Sequence, residues 1–200
     1  MKVTLIQQTP NPVETISTIA SICYNSNPKN PLKLVEHLYN SGHHSVFEHI
    51  YFTFKIEGIS RACSHQLVRH RMCSFTQRSQ RYCNESDFEY VTPHTIPDEC
   101  MGVIMNALST NYDTLSEHFP KEDARYILPN ACVADLYLSC NLRELIHICN
   151  ERLCSRAQWE IRELVQEMVK LVDPSLKFML VPKCKSKFII CNSPCGKKGD

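Results

Sequence analysis

Between Arg69 and Tyr82 the chain places four arginines, one histidine and two serines in a single run, Arg69-His70-Arg71-Met72-Cys73-Ser74-Phe75-Thr76-Gln77-Arg78-Ser79-Gln80-Arg81-Tyr82. Guanidinium forks match phosphate and carboxylate oxygens two at a time, and each charge-assisted hydrogen bond is worth about 1.5–3 kcal/mol where water is excluded. The run contains no lysine, and its arginines are interleaved with Phe75 and Tyr82. That suits a planar anion of nucleotide size better than a solvated basic face. Ser74, Gln77, Ser79 and Gln80 add neutral donors. The five glycines, at 42, 58, 102, 196 and 199, are too scattered for a phosphate-cradling glycine loop, so a nucleotide here must be held by side chains.

Two further clusters have chemical potential. Gly42-His43-His44-Ser45-Val46-Phe47-Glu48-His49 gathers three histidines and a glutamate, yet matches no standard zinc spacing, and the chain has neither HExxH nor CxxC. A hydrogen-bonding role for His43, His44 and Ser45 at a pocket edge is the better reading, with His49 a packed core histidine. Around Asn141, Arg143 and His147 stand four residues apart and share a helix face, with Arg152 beyond. Taken by themselves, the same residues read better as a solvent face balanced by Glu144 and Glu151. Among twelve cysteines none is singled out as a nucleophile, although Cys73 lies between Arg71 and Arg78. Cys184, Cys191 and Cys195 would need a fourth ligand to hold zinc, and their spacing is irregular. No metal site is expected.

The elements that must position these residues can be read from periodicity. A strand is expected over Lys2–Gln7 and a helix over Val13–Tyr24, with Val13, Ile16, Ile19, Ala20 and Cys23 on one stripe. Asn30-Pro31 opens a helix that ends before Gly42. Tyr51–Glu57 alternates as a half-buried strand that Gly58 ends. Ile59, Ala62, Cys63 and Leu67 return to helical spacing, which puts the arginine run on a helix end and the loop after it. A helix over Met101–Leu115, a strand over Ala131–Leu138, a helix capped by Asn141 and another from Trp159 to Val172 complete an α+β, helix-rich single domain with a small, mainly antiparallel sheet. The domain is expected to cover residues 1–181, with 182–200 a lysine- and cysteine-bearing tail.

Composition bounds the function. The 200 residues are 43% hydrophobic and 22% charged, enough for one well-buried domain. Twenty-two Lys and Arg against twenty-one Asp and Glu leave +1, so no global field draws nucleic acid or an anionic membrane. Pro10 interrupts the N-terminal apolar run before a signal peptide could form, and no run reaches membrane-spanning length. A cytoplasmic protein with reduced thiols, mostly small core residues, is expected.

Arg69-His70-Arg71 followed after seven residues by Ser79 resembles the RHR-x7-S signature of flavin-dependent thymidylate synthases. The resemblance continues through Gln66, Arg81-Tyr82, the His43–His49 run, Asn141-Leu142-Arg143 and the Arg152–Arg162 segment, covering roughly residues 1–180. It implies reductive methylation of dUMP to dTMP, with methylenetetrahydrofolate as carbon donor, FAD as hydride carrier and NADPH as reductant, in a homotetramer. Carried over by position, Ser45, Arg69, His70, Arg71, Gln77, Asn141, Arg143 and His147 would hold the flavin. Gln66, Arg69, Gln77, Arg78, Ser79, Gln80, Arg81, Arg125 and Arg152 would hold the nucleotide. Arg152 would be catalytic, stabilising negative charge on the uracil ring so that no cysteine nucleophile is needed. The competing readings are a nucleotide- or RNA-binding module stacking bases on Phe75 and Tyr82, and a metal-binding structural protein.

Overall fold

The structure, a computed structural model, describes residues 1–25, 28–186, 189–192 and 195. The fold is α+β and helix-rich, with one small antiparallel sheet. Its four strands are β1 (Lys2–Gln8), β2 (Tyr51–Ser60), β3 (Ser74–Gln77) and β4 (Val133–Asn141), in the order β1-β2-β4-β3. The chain divides into two compact units, 1–2 with 56–69 and 76–136, and 3–55 with 70–75 and 137–200.

The larger unit holds α1 (Pro12–Ser21), α2 (Pro31–Asn40), a 3-10 turn at His44–His49, α6 (Leu142–Arg152) and α7 (Trp159–Leu171). Its core includes Ile16, Val35, Phe47, Phe52, Phe54, Leu138, Leu145, Leu164 and Met168, all fully buried. The start signals read from the sequence operate here. Asn30 Oδ1 accepts from Lys33 N at 3.0 Å and Pro31 takes the first helical position of α2. Asn141 Oδ1 accepts from Glu144 N at 2.9 Å and starts α6 as β4 ends. The helix expected over Val13–Tyr24 ends at Ser21 and tightens to a 3-10 turn over Ile22–Tyr24, leaving Cys23 exposed.

The smaller unit holds α3 (Arg61–Leu67), α4 (Asp98–His118) and the short α5 (Lys121–Ala124). Phe88, Met101, Met105 and Cys132 form a buried cluster there, and fully buried Tyr112 accepts at its hydroxyl from Glu85 N at 3.3 Å. Three expectations are corrected. Gly58 does not end β2: it adopts φ +74°, and the strand continues to Ser60. A Cβ at Gly58 would stand 3.2 Å from Met1 N, so the glycine admits a close backbone approach within the strand. Second, Ser74–Gln77 is an edge strand rather than loop. Third, the strand expected over Ala131–Leu138 lies over Val133–Asn141.

The cysteines also differ from expectation. None of the twelve forms a disulfide, and only Cys63, Cys132, Cys140 and Cys149 are buried. Of the tail, Lys187, Phe188, Lys197 and Lys198 lie outside the described residues. No helix among the described residues is long and apolar enough to cross a membrane.

Candidate functional site

Helix α6 carries the first site. Its cap and its polar positions Asn141, Arg143, His147 and Asn150 line a cavity of about 570 Å³, which Tyr39 and His44 border from the α2 side. The Tyr39 and His44 rings stack at 5.5 Å with 17° between planes, and His44 Nε2–H donates to Tyr39 O at 3.1 Å. His44, rather than exposed His43, is therefore the pocket histidine of its run. Ser45 is exposed, and His49 is exposed rather than packed in the core. Arg143 donates to Glu48 Oε1, an exposed pair that positions the arginine more than it stabilises the fold.

Asn150 is 1% exposed, lines this cavity, and has no hydrogen-bond partner among the described residues at either Oδ1 or Nδ2. Each unsatisfied buried polar atom costs about 1–3 kcal/mol, so this amide calls for a donor and an acceptor from outside the described residues. The Tyr39–His44 ring pair and the Asn150 amide line the same cavity, a combination that can take a planar heterocycle carrying N–H and carbonyl groups. Sequence reading missed Asn150. The available signal was a polar residue seven positions after Arg143 and three after His147, on the same helical face.

His70 enters the same unit from the loop after α3. It is 5% exposed, with its ring 5.5 Å from that of His147 at 70°. Arg152 Nε–H donates to His70 Nε2 at 3.0 Å, so Nε2 is the unprotonated nitrogen. The proton then sits on Nδ1, which lies 3.3 Å from Glu144 Oε1. Burial first, then the Arg152 and His147 charges, hold the His70 pKa down at about 4. Burial also raises that of Glu144. Glu144, at 8% exposure, is thus an inward partner of His70 and not part of a solvent face. His70, Glu144 and His147 place ligand atoms within 4.8 Å of one another, but the Arg152 guanidinium against His70 opposes a cation there. Arg71 is exposed, and Met72 takes the cavity wall beside it.

The second set of residues lies on the smaller unit, around the end of β3. Arg78 donates to Asn84 O at 3.2 Å and stands 3.7 Å from buried Glu85. Arg81 pairs with Glu122 at 2.5 Å, its guanidinium 5.4 Å from the Tyr82 ring centre, and Arg125 Nε–H donates to Glu122 O at 3.0 Å. Glu122 therefore brings Arg81 and Arg125 together from segments 44 residues apart. Ser79 closes a turn, its carbonyl accepting from Cys83 N at 2.9 Å and its hydroxyl from Arg81 N at 3.3 Å. Gln77 donates to Ser64 Oγ at 3.2 Å, and Gln80, expected to meet the nucleotide, is turned inward onto Cys132 Sγ at 3.5 Å. Gln66 is half-buried and Arg69 exposed. Glu85 and Glu122, whose carboxylates meet Arg78 and Arg81, were not anticipated.

Residues 4–176 match the family described as Thymidylate synthase complementing protein. The chain is 41% identical over 190 residues to a flavin-dependent thymidylate synthase of Geobacter sulfurreducens, covering 86% of this chain and 82% of the relative. It is 38% identical over 211 residues to one of Pyrococcus furiosus, covering 92% and 86%. A crystal structure of Thymidylate Synthase X from Helicobacter pylori with FAD and dUMP shares the fold, with a TM-score of 0.79 at 24% identity over 90% of this chain and 97% of that one.

Proposed function

Since the chain belongs to the flavin-dependent thymidylate synthase family, we propose that it methylates dUMP to dTMP, with FAD bound and with methylenetetrahydrofolate and NADPH as co-substrates. The observation that carries this reading within the structure is the orphaned amide of Asn150 in a cavity lined by Asn141, Arg143 and His147. Those residues and His44 would hold the flavin, with Ser45, Arg69, His70, Arg71 and Gln77 as further contacts. FAD, when bound, supplies the hydride-carrying chemistry.

The chain's own groups do the rest. His70, neutral at physiological pH, accepts from Arg152 and so fixes the orientation of that guanidinium. Arg152 would stabilise negative charge on the N3/O2 edge of the uracil ring, which makes C5 more nucleophilic without a covalent bond to the enzyme. Arg78, Ser79, Arg81 and Arg125 would meet the phosphate, with Gln66, Arg69 and Gln77 as additional nucleotide contacts. Thiolate attack is not needed, and the buried thiols are poorly suited to it: burial pushes Cys132 up to about 11 and raises Cys149 further. We read 1–181 as one catalytic domain, since the family match spans residues of both units. The enzyme would work as a cytoplasmic homotetramer.

The test is the visible spectrum of purified protein incubated with FAD, followed by anaerobic NADPH with and without dUMP. A bound oxidised flavin that bleaches, faster when dUMP is present, is expected. Failure to bind flavin under any condition would overturn the reading and assign the arginine run to another anion, RNA included.

A further inference from the structure

Two cysteines that the mechanism does not use, Cys73 and Cys140, both belong to the larger unit. Cys73 closes the turn that begins at His70, its amide donating to His70 O at 3.1 Å, and directly precedes β3. Cys140 lies in β4, directly before Asn141. β3 and β4 are neighbours in the antiparallel sheet, and just past β3 Arg78 N–H donates to Asp135 O at 2.9 Å. In an antiparallel ladder one residue advances as its partner recedes, so that bond sets Ser74 against Ser139 and Cys73 against Cys140. Hydrogen-bonded and non-hydrogen-bonded pairs alternate, and the two cysteines fall on a non-hydrogen-bonded pair, where Cα atoms stand about 4.5 Å apart. A disulfide spans Cα separations of about 4.4–6.8 Å. The side chains agree with the register, since the two thiols are hydrogen-bonded to each other.

We propose that Cys73 and Cys140 form a redox-modification site, a cross-strand dithiol that a low-molecular-weight disulfide converts into an intramolecular disulfide at the rim of the α6 cavity. Cys73 is half-buried and can meet the oxidant, whereas Cys140 is 2% exposed and cannot. The bond to Cys73 first, then burial, holds the Cys140 pKa well above its ordinary value, which makes Cys140 the hydrogen-bond donor and the Cys73 sulfur the acceptor. In the first step Cys73 gives its proton to solvent and its thiolate attacks one sulfur of the oxidant R–S–S–R. A Cys73–S–S–R bond forms, the oxidant's S–S bond breaks, and R–S⁻ leaves to be protonated. In the second step Cys140 gives its proton to solvent and its sulfur attacks Cys73 Sγ. The Cys73–Cys140 bond forms, the bond to R breaks, and a second R–S⁻ leaves to be protonated. The two thiols lose two electrons, and the oxidant gains them as two R–SH.

The chain neighbours of both cysteines line the α6 cavity: Met72 precedes Cys73, and Asn141 follows Cys140. The disulfide therefore ties the turn that carries His70, the acceptor of the Arg152 hydrogen bond, to the cap of α6. In a reducing compartment disulfides are mostly transient and redox-sensing. A pair closed and reopened by thiol exchange behaves in that way.

The proposal does not rest on the flavin reading, because thiol state is read without FAD or substrate. The full chain is equilibrated with reduced and oxidised glutathione in a series of ratios, quenched with acid, alkylated, digested and mapped by mass spectrometry. Expected is a linked peptide pair that fragments to Cys73 joined to Cys140 and that dithiothreitol separates. Cys140→Ala should stop at the first step and hold one glutathione on Cys73, which the unaltered chain does not retain. Cys73→Ser should leave Cys140 reduced. Cys23→Ser and Cys100→Ser, both exposed, should form the link as the unaltered chain does. Circular dichroism shows whether each variant is folded, and the map of the unaltered chain decides the question without any variant. A Cys73 that keeps its glutathione in the unaltered chain, joins a cysteine other than Cys140, or stays reduced in oxidised glutathione alone would overturn the proposal. So would a folded Cys140→Ala chain with no glutathione on Cys73.

Discussion

Acidification should expose the work His70 does. Its folded pKa is about 4, against an ordinary 6.5. Above pH 6.5 neither state holds the proton, and the contribution to stability is complete. As pH falls from 6.5 toward 4, the unfolded chain takes up a proton that the buried ring refuses, so stability is lost with acid. Linkage over those two values removes about 2 kcal/mol between pH 7.5 and pH 5, approaching about 3 kcal/mol at pH 4. The comparison is with His70→Gln, whose amide can accept from Arg152 and donate to Glu144 but cannot titrate. Burial-raised Glu144 runs in the opposite sense in both proteins and cancels in the difference. Urea unfolding at a series of pH values should show the advantage of the unaltered chain shrinking by about 2 kcal/mol from pH 7.5 to 5, a relative midpoint shift of roughly 1 M. A difference that stays constant with pH would refute the assignment of His70 as a neutral acceptor, and with it the tautomer that orients Arg152.

Replacing the orphaned amide by Asn150→Leu should raise the stability of the flavin-free protein by about 1–3 kcal/mol while weakening FAD binding at least about tenfold; unchanged flavin affinity in a fluorescence titration would remove Asn150 from the site. Arg152→Ala should retain flavin and lose nearly all turnover, and normal turnover would take this arginine out of the mechanism. Ser79→Ala should raise the dUMP Kd more than it slows flavin reduction by NADPH, and an unaltered Kd would contradict the phosphate role.

The parts of the fold that were legible are those decided within a few residues of chain. Asn30 and Asn141 cap helices because a short side-chain oxygen reaches the amide three residues on, whatever lies elsewhere. The alternation of Phe52, Phe54 and Ile56 marked a strand for the same local reason. Gly58 misled because a glycine reads as a break, while here it serves a close approach to Met1 that depends on residues 57 positions away. Ser74–Gln77 looked like loop because four residues are too few to show a period, and its pairing to β4 is non-local. At the site, the arginine run, Asn141, Arg143 and His147 announced themselves by residue type. Glu144 and Asn150 did not, since what distinguishes them is burial: one partnered by His70, the other left unpartnered beside a cavity.

The sequence by itself determined the helix-rich α+β class and the family, because helix caps, apolar periodicity and the Arg69–Ser79 spacing are properties of neighbouring residues. Only the tertiary structure decided which of the polar groups act together. It turned Gln80 inward, set Glu122 between Arg81 and Arg125, locked Arg152 to a neutral His70, and paired the Cys73 thiol with that of Cys140. Each of these depends on burial and on contacts between distant segments. Desolvation sets the protonation state of a group and the need for a partner, and a linear chain does not carry desolvation until it has folded.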